Sequence, residues 1–338
     1  MLRSMDSAVA GLRAHQNKMD VIGHNLANVN TFGFKAQTYT FKEAMYQTSS
    51  ASTGGTNDAG GSNAAQYGYG TLMGTIGVDM TASTPSYVGG LNATINGEGF
   101  FMTSAQKYTD GEPISGNLKT SSVDWDYTRV GQFSIDSNGY LVDGNGNFVY
   151  GFRPGDDNFK PANDKDNPGA LDPNKAKLHP LRIPVDIAKN TSGDGYTLTF
   201  LGTGTGAGTN TDEALKATSV SINKLGEITA TITKGDETFA GVHIGTVALV
   251  TFQNPEGLTK AGETYYKTTE ADNSGRVDAT VPGGDGVATL MSGYIEASNV
   301  DLAKEFAEMI MTQRGFQANS KMITVSDEML SELVNMKR

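Results

Sequence analysis

Apolar positions keep one period at the two ends of this chain and another between them. Met5, Leu12, Met19 and Leu26 recur every seventh residue, with Leu2, Val9 and Gln16 on the neighbouring seam position. Leu302, Met309, Phe316, Ile323 and Leu330 keep the same period near the other end, flanked by Phe306 and Val334. A seven-residue apolar repeat holds one stripe of an α-helix against partner helices. Neither helix buries its stripe alone, so each needs the other, or copies in neighbouring subunits. These stripe residues are therefore the expected polymer interface. The pattern predicts a first helix from about Leu2 to Asn28. It predicts a final helix of about 35 residues, long enough to need a partner along its length. That helix is expected to start near Ser298, where Ser298 and Asp301 have capping-box spacing. Gln313, Ser320 and Asp327 interrupt the second seam behind Phe306, which suits a packed tube better than an isolated two-stranded coil. The plainer alternative is two helices of an ordinary globular domain.

Asn28-Val29-Asn30-Thr31-Phe32-Gly33 gathers turn formers where the first helix should stop, and Gly33 can take a positive φ. Gln47 to Gly70 is poor in large aliphatics and rich in Ser, Thr, Gly and Asn, which predicts an extended linker or loop. From Thr71 the period becomes two. Leu91, Ala93 and Ile95 precede the turn Asn96-Gly97, and Phe100, Phe101 and Met102 follow it. Phe133 and Ile135 lead into Ser137-Asn138-Gly139. Tyr140-Leu141-Val142 and Phe148-Val149-Tyr150 flank Asp143-Gly144-Asn145-Gly146-Asn147. Asn-Gly and Asp-Gly between short apolar runs mark antiparallel hairpins. Residues 153–180, rich in Pro, Asp and Asn, predict a boundary or long surface loop. A second β segment follows at Tyr196, Leu198 and Phe200, at Val220 and Ile222, and at Ile228, Ala230 and Ile232. Residues 247–252 read as one fully apolar strand, stopped at Asn254-Pro255.

Helical ends around antiparallel β structure make an α+β multidomain chain, and 338 residues leave room for two or three domains. No apolar run reaches the ~18 residues that would span a bilayer, so membrane insertion is not expected. No apolar block precedes a small-residue cleavage site near Met1, so no cleavable signal is expected. The chain has no cysteine, which removes disulfides, thiolate catalysis and cysteine metal ligands together. Its net charge of -11 is uneven. Arg3, Arg13, Lys18 and Lys35 outweigh Asp6 and Asp20 by +2 over residues 1–36, residues 298–338 carry -1, and the middle holds -12. An acidic middle argues against nucleic acid, whose phosphates need clustered Lys and Arg. It suits an exposed outer surface.

Candidate chemistry is sparse. Asp143-Gly144-Asn145-Gly146-Asn147 imitates half of a calcium loop, but Pro154 stands where the bidentate glutamate belongs, so a plain hairpin turn is expected. His15, His24, His179 and His243 are scattered, and His15 and His24 do not share a helix face at ligand spacing. Gly202-x-Gly204-x-Gly206 is followed by no helical pattern and reads as a loop. Asp156-Asp157 lies in a polar stretch with nothing apolar nearby to raise a pKa. No enzyme activity, cofactor or metal is expected. A competing class is a secreted carbohydrate- or calcium-binding β protein whose helices merely oligomerise it.

The turn closing the first helix carries a resemblance. Asn25-Leu26-Ala27-Asn28-Val29-Asn30-Thr31-Phe32-Gly33-Phe34-Lys35 resembles the N-terminal signature of bacterial flagellar rod, hook and hook-associated proteins. Asp20-Val21-Ile22-Gly23 agrees, with His24 where many relatives carry asparagine. Ser298-Asn299-Val300-Asp301-Leu302, Gln313 to Ser320, and Ser326-Asp327-Glu328-Met329-Leu330 resemble that family's closing segment. Relatives often have alanine at the place of Gly315, which predicts a locally weaker helix. Asn96-Gly97-Glu98-Gly99-Phe100-Phe101, Tyr127-Thr128-Arg129-Val130-Gly131-Gln132-Phe133 and residues 248–258 resemble its first β domain, resuming after an insert.

The resemblance implies a nested architecture. Residues 1–30 with 298–338 would form an inner helical coiled-coil domain, 31–70 a linker, 71–152 with 244–297 a β domain, and 153–243 an outer β insert. Asn25, Asn28, Thr31, Gly33, Phe34 and Lys35 would be signature residues. The linker around residues 61–70 and the insert resemble those of hook subunits; a distal rod protein normally lacks so large an insert. Implied partners are copies of the chain, the rod, the hook cap, the hook–filament junction proteins and the export apparatus. The implied location is the extracellular hook, reached without a cleavable signal.

Overall fold

The seven-residue repeat does make the first helix: α1 spans Leu2–Ala27. Its last turn tightens where the amides of Asn28 and Val29 donate to the carbonyls of Asn25 and Leu26, at 3.2 and 3.5 Å. The final helix, α2, spans Leu302–Met336 and runs unbroken through Gly315. Its cap is Asp301 rather than Ser298. The Asp301 carboxylate accepts the amides of Ala303 and Lys304 at 2.9 and 3.3 Å, so the helix begins three residues later than the capping-box spacing suggested. The computed structural model describes residues 2–55, 60–108, 112–113, 118, 123–153, 177–183, 199–200, 215–234, 237–275, 277–284 and 288–336. Tyr196, Leu198, Asp156, Asp157, Gly202, Gly204 and Gly206 lie outside the described residues.

Two units divide the chain. The first comprises Met1–Asn30, Lys35–Met80 and Asn299–Arg338; the second comprises Thr31–Phe34 and Thr81–Ser298. In the first unit α1 and α2 pack antiparallel: Lys18 Nζ lies 3.1 Å from Glu308 Oε2, and Asn25 Nδ2 donates to Glu305 Oε1 at 3.0 Å. Beside them are four strands, β1 (Gln37–Glu43), β2 (Tyr46–Ser50), β3 (Ala65–Gly68) and β4 (Thr71–Val78). β1 pairs with β4 and β2 with β3, both antiparallel. Part of the stretch expected as an extended linker is therefore a β ribbon. Its ladder is closed by polar groups that composition does not betray: Gln66 Nε2 donates to Thr48 Oγ1 at 3.2 Å and the Tyr69 hydroxyl to Gln47 Oε1 at 2.8 Å.

In the second unit every described strand pairing is antiparallel. The core gathers Ala93, Ile95, Phe101, Leu141, Val149 and Leu249, residues the alternating runs had marked, together with Leu181 and Ile183. Of the expected loop at 153–180, Lys177–Pro180 is a strand paired to Phe148–Phe152, and 154–176 lie outside the described residues. Strand Glu237–Val247 runs straight through position 244, where the insert was expected to end. It pairs with Glu227–Lys234 on one side and with Phe148–Phe152 on the other. The described strands of the insert thus continue the same sheet. The apolar run 247–252 breaks at Ala248, after which Leu249–Phe252 pairs with Phe100–Ser104 and Val277–Thr280.

One turn device recurs in this unit. Asp136, Asp143 and Asn223 each use one side-chain oxygen to accept two amides, those of residues 138 and 140, 145 and 147, and 225 and 227, at 2.8–3.0 Å. The third residue on is Gly139, Gly146 or Gly226, at φ of +83°, +87° and +73°, each donating its amide back to the first carbonyl. Only glycine takes such angles without strain.

Candidate assembly surface

The helix pair does not close on its apolar stripes. On α1 the buried residues are Ala8, Gly11, Ala14, Val21, Ile22 and Asn25. On α2 it is Glu305, Thr312 and Ser326, with Asn319 half-buried, again seven residues apart but polar. Small residues open room for large ones. A Cβ on Gly11 would stand 2.7 Å from Asn319 Nδ2, and one on Gly315 would stand 2.6 Å from His15 Cε1. The missing alanine at 315 is therefore a notch filled by His15. Thr312 and Ser326 return their hydroxyl protons to the carbonyls of Glu308 and Met322, at 2.7 and 2.8 Å, so they enter the seam satisfied.

This seam leaves part of the expected stripe of α2 exposed. Leu302, Phe306, Phe316 and Val334 are 42%, 49%, 37% and 67% exposed, while Met309, Ile323 and Leu330 are half-buried. On α1, Val9 is exposed and Met5, Leu12, Met19 and Leu26 are half-buried; the side chain of Leu2 lies outside the described residues. Sequence reading missed a second exposed row on α2, formed by Met322, Val325, Met329, Leu333 and Met336. Its signal was present, because these positions also recur at three- and four-residue steps.

The signature asparagines are clasps. Asn25 is buried; its Oδ1 accepts the amide of Gln37 at 2.9 Å, and its Nδ2 reaches the Gln37 carbonyl at 2.8 Å as well as Glu305. It ties the end of α1 to the start of β1 and the first turn of α2. Asn299 accepts the amide of Ala36 at 2.7 Å and donates to the carbonyl of Asp79 at 2.9 Å, tying the approach to α2 to both outer strands. Asn28 Nδ2 donates to the His24 carbonyl at 2.9 Å, and Lys35 is fully buried.

Both ends of the chain match known families in sequence. Residues 5–35 match the family described as flagella basal body rod protein, and residues 291–336 match the flagellar basal body rod FlgEFG protein C-terminal family. The flagellar basal-body rod protein FlgG of Bacillus subtilis is 36% identical over 100% of both chains. The chain belongs to the flagellar rod and hook protein family. Its similarity runs to both branches: the flagellar hook protein FlgE of Borreliella burgdorferi is 28% identical, also over 100% of both chains. Among solved structures, the Helicobacter pylori flagellar hook protein FlgE2 matches 32% of this chain and 22% of that one, at 26% identity and a TM-score of 0.21.

As a flagellar axial protein the chain also carries family-like motifs in its second unit, and these converge on one buried ion pair. Arg129 Nε donates to Glu296 Oε2 at 2.7 Å, with the two side chains 3% and 2% exposed. Arg129 Nη1 and Nη2 donate to the carbonyls of Gly99 and Gly97 at 3.1 and 2.9 Å, and Glu296 Oε1 accepts the amide of Ser83 at 3.0 Å. The Glu296 carbonyl takes the amide of Gly33 at 2.8 Å, and the Thr31 carbonyl takes that of Phe34 at 3.3 Å. Gly131 is forced, since a Cβ there would lie 1.6 Å from the Ala93 carbonyl oxygen.

The calcium-like loop is a hairpin turn whose carboxylate is already engaged. Asp143 Oδ1 holds two turn amides and Oδ2 accepts the hydroxyl of Tyr265. Burial, then that contact, pushes the Tyr265 hydroxyl well above its ordinary range. His15 lies in the helix seam, His24 beside Asn28, and His179 and His243 in separate strands. Burial holds the His243 imidazole below its ordinary value. Among the described residues no group of three or more His, Asp or Glu is placed to hold a metal, and no helix is long and apolar enough to cross a membrane.

Proposed function

We propose that this chain is the structural subunit of the flagellar hook, polymerising through its terminal helices into a curved, flexible tube that joins rod to filament and transmits torque. The observation that carries the polymer reading is the outward apolar face of α2 beside a polar intramolecular seam. An exposed apolar face of this kind marks an interaction surface, which other copies of the chain would cover. A coiled-coil arrangement between copies, with Leu2, Met5, Val9, Leu12, Met19, Leu26, Leu302, Phe306, Met309, Phe316, Ile323, Leu330 and Val334 as its contacts, follows from that reading. Acidic outer surfaces that repel rather than lock suit subunits sliding past one another as the tube bends. The full-length match to a hook protein and the insert support the hook branch. Partners would be the rod, the hook cap, the hook–filament junction proteins and the export apparatus.

The second reading is the distal rod, favoured by the 36% identity to a basal-body rod protein along the whole chain. Deleting the gene and imaging purified basal bodies separates the two. Complete rods without hooks establish the hook; truncated rods establish the rod. Intact, motile flagella refute both.

A further inference from the structure

We propose that His15, lodged in the notch left by Gly315, is an acid-sensitive catch on the α1–α2 pair, holding it closed as neutral imidazole and opening it as imidazolium. The inference concerns the two helices of one chain and stands whether the polymer is hook or rod.

Two neighbours confine the ring. A Cβ at Gly315 would be 2.6 Å from His15 Cε1 and 2.8 Å from Nε2, so the imidazole edge rests against the backbone of α2. From β1, the Phe41 ring meets it at 5.4 Å with planes 60° apart. Nδ1 is buried without a hydrogen-bond partner. Neutral imidazole tolerates this, because Nδ1 can be the ring's unprotonated nitrogen. Imidazolium does not, because both nitrogens must then donate and one faces no acceptor.

Neighbouring charges sharpen the effect. Lys18, on the same helix, has its ammonium 5.7 Å from the centre of the same Phe41 ring. On α2, the Glu308 carboxylate is paired with Lys18 at 3.1 Å. β1 adds Tyr39, packed edge-on to Phe41, and Glu43, which accepts the Tyr46 hydroxyl at 2.8 Å. β4 carries no titratable side chain. A charged His15 would thus meet a second cation, Lys18, while the Glu308 and Glu43 carboxylates are engaged by other groups. Burial, and then Lys18, already hold its pKa below the ordinary 6.5. With the folded value depressed, the unfolded chain takes up the proton first. The stabilisation is complete above about pH 6.5 and is lost as pH falls through the window beneath it. Inside that window the opening constant of the pair should rise by up to about tenfold per pH unit.

The absence of cysteine makes the test direct. Spin labels on Arg13→Cys and Gln317→Cys, both exposed, report the helix separation in the full chain at pH 7.5 and 5.0. The expected result is a single short distance at the higher pH and a broad, longer population at the lower one. His15→Phe, which fills the notch without titrating, should keep the short distance at both. Equal distributions in the parent chain at the two pH values overturn the proposal, as does an unchanged acid response in His15→Phe. Should the phenylalanine variant fail to close at all, the His15 ring resonances of the parent chain decide. A titration midpoint below 6.5 that coincides with opening supports the catch, and one at or above 6.5 overturns it.

Discussion

Arg129 and Glu296 form a charged pair in a nearly dry site, with every strong donor and acceptor directed at a named partner. Removing one member strands the other, so Arg129→Met should destabilise the second unit by about 3–5 kcal/mol in chemical denaturation. Replacing both with apolar residues should recover much of that loss; a single variant as stable as the parent would contradict this account. Glu305 behaves in the opposite sense. It is 8% exposed, and burial, reinforced by Glu308, raises its carboxyl above the ordinary 4.5 although the Asn25 bond pulls it down. The folded chain therefore holds this proton more tightly than the unfolded one. The Glu305 contribution to the first unit, opposite in sign to that of His15, is lost as pH rises from about 4.5 through the raised value. Glu305→Gln keeps an acceptor for Asn25 and removes the charge. Its helices should melt a few degrees higher than the parent's at pH 7, about 2–4 °C per kcal/mol gained. Circular dichroism melts at pH 5 and 7 check both size and sign. None of these burials was legible in the sequence: Arg129 and Glu296 stand 167 residues apart, and local pattern says nothing of such pairings.

The hairpin turns at 136–140 and 143–147 were legible, because Asn138-Gly139 and Asp143-Gly144 stand between short apolar runs that pair. Asn96-Gly97 closes no hairpin, since Ala93–Asn96 pairs with Thr289–Ser292 instead of Phe100–Ser104, and the Asn223 turn was not read. Asp136→Ala and Asn223→Ala should each cost about 1 kcal/mol by freeing two amides. Asp143→Ala should cost more, since the Tyr265 hydroxyl also loses its acceptor; hydrogen exchange at residues 145 and 147 reports the loss directly. The helices were half legible. Their extent follows from the apolar repeat, yet the surface they present to each other does not, because a seam of Gly, Ala, Thr, Ser and Asn has no hydrophobic signature. The ribbon of β2 and β3 escaped for the same reason: strand formation there rests on hydroxyl and amide pairs rather than on alternation. Phe316 is exposed and Leu12 half-buried, so Phe316→Asp should leave both units folded while abolishing polymerisation, and Leu12→Asp should weaken it. Tubes of normal length from the Phe316 variant, seen by negative-stain microscopy, would remove the stripe from the assembly surface.

On the scale of the whole chain, charge and length set the behaviour of many copies together. A net charge of -11, concentrated between the helices, makes like surfaces repel wherever copies crowd. Raising ionic strength from about 0.05 to 0.5 M shortens the screening length from more than 10 Å to less than half of that. The critical concentration for polymerisation should therefore fall with salt, and sedimentation assays showing it to rise would point instead to attractive ion pairs between copies. The boundary expected at residue 244 dissolved because a sheet can be shared by segments of different composition. The antiparallel helix pair carries a consequence of another kind. An apolar repeat of seven cannot tell one alignment from another seven residues away, so stripes alone leave the partner helix free to slide. Here His15 needs the gap at 315 while Asn319 needs the gap at 11, and a slide of seven would set His15 against Met322 or Glu308. Two keys cut in opposite helices thus select one alignment out of a degenerate set. They also bind the fates of distant positions: filling residue 315 should be tolerated only by a chain that trims residue 15 as well.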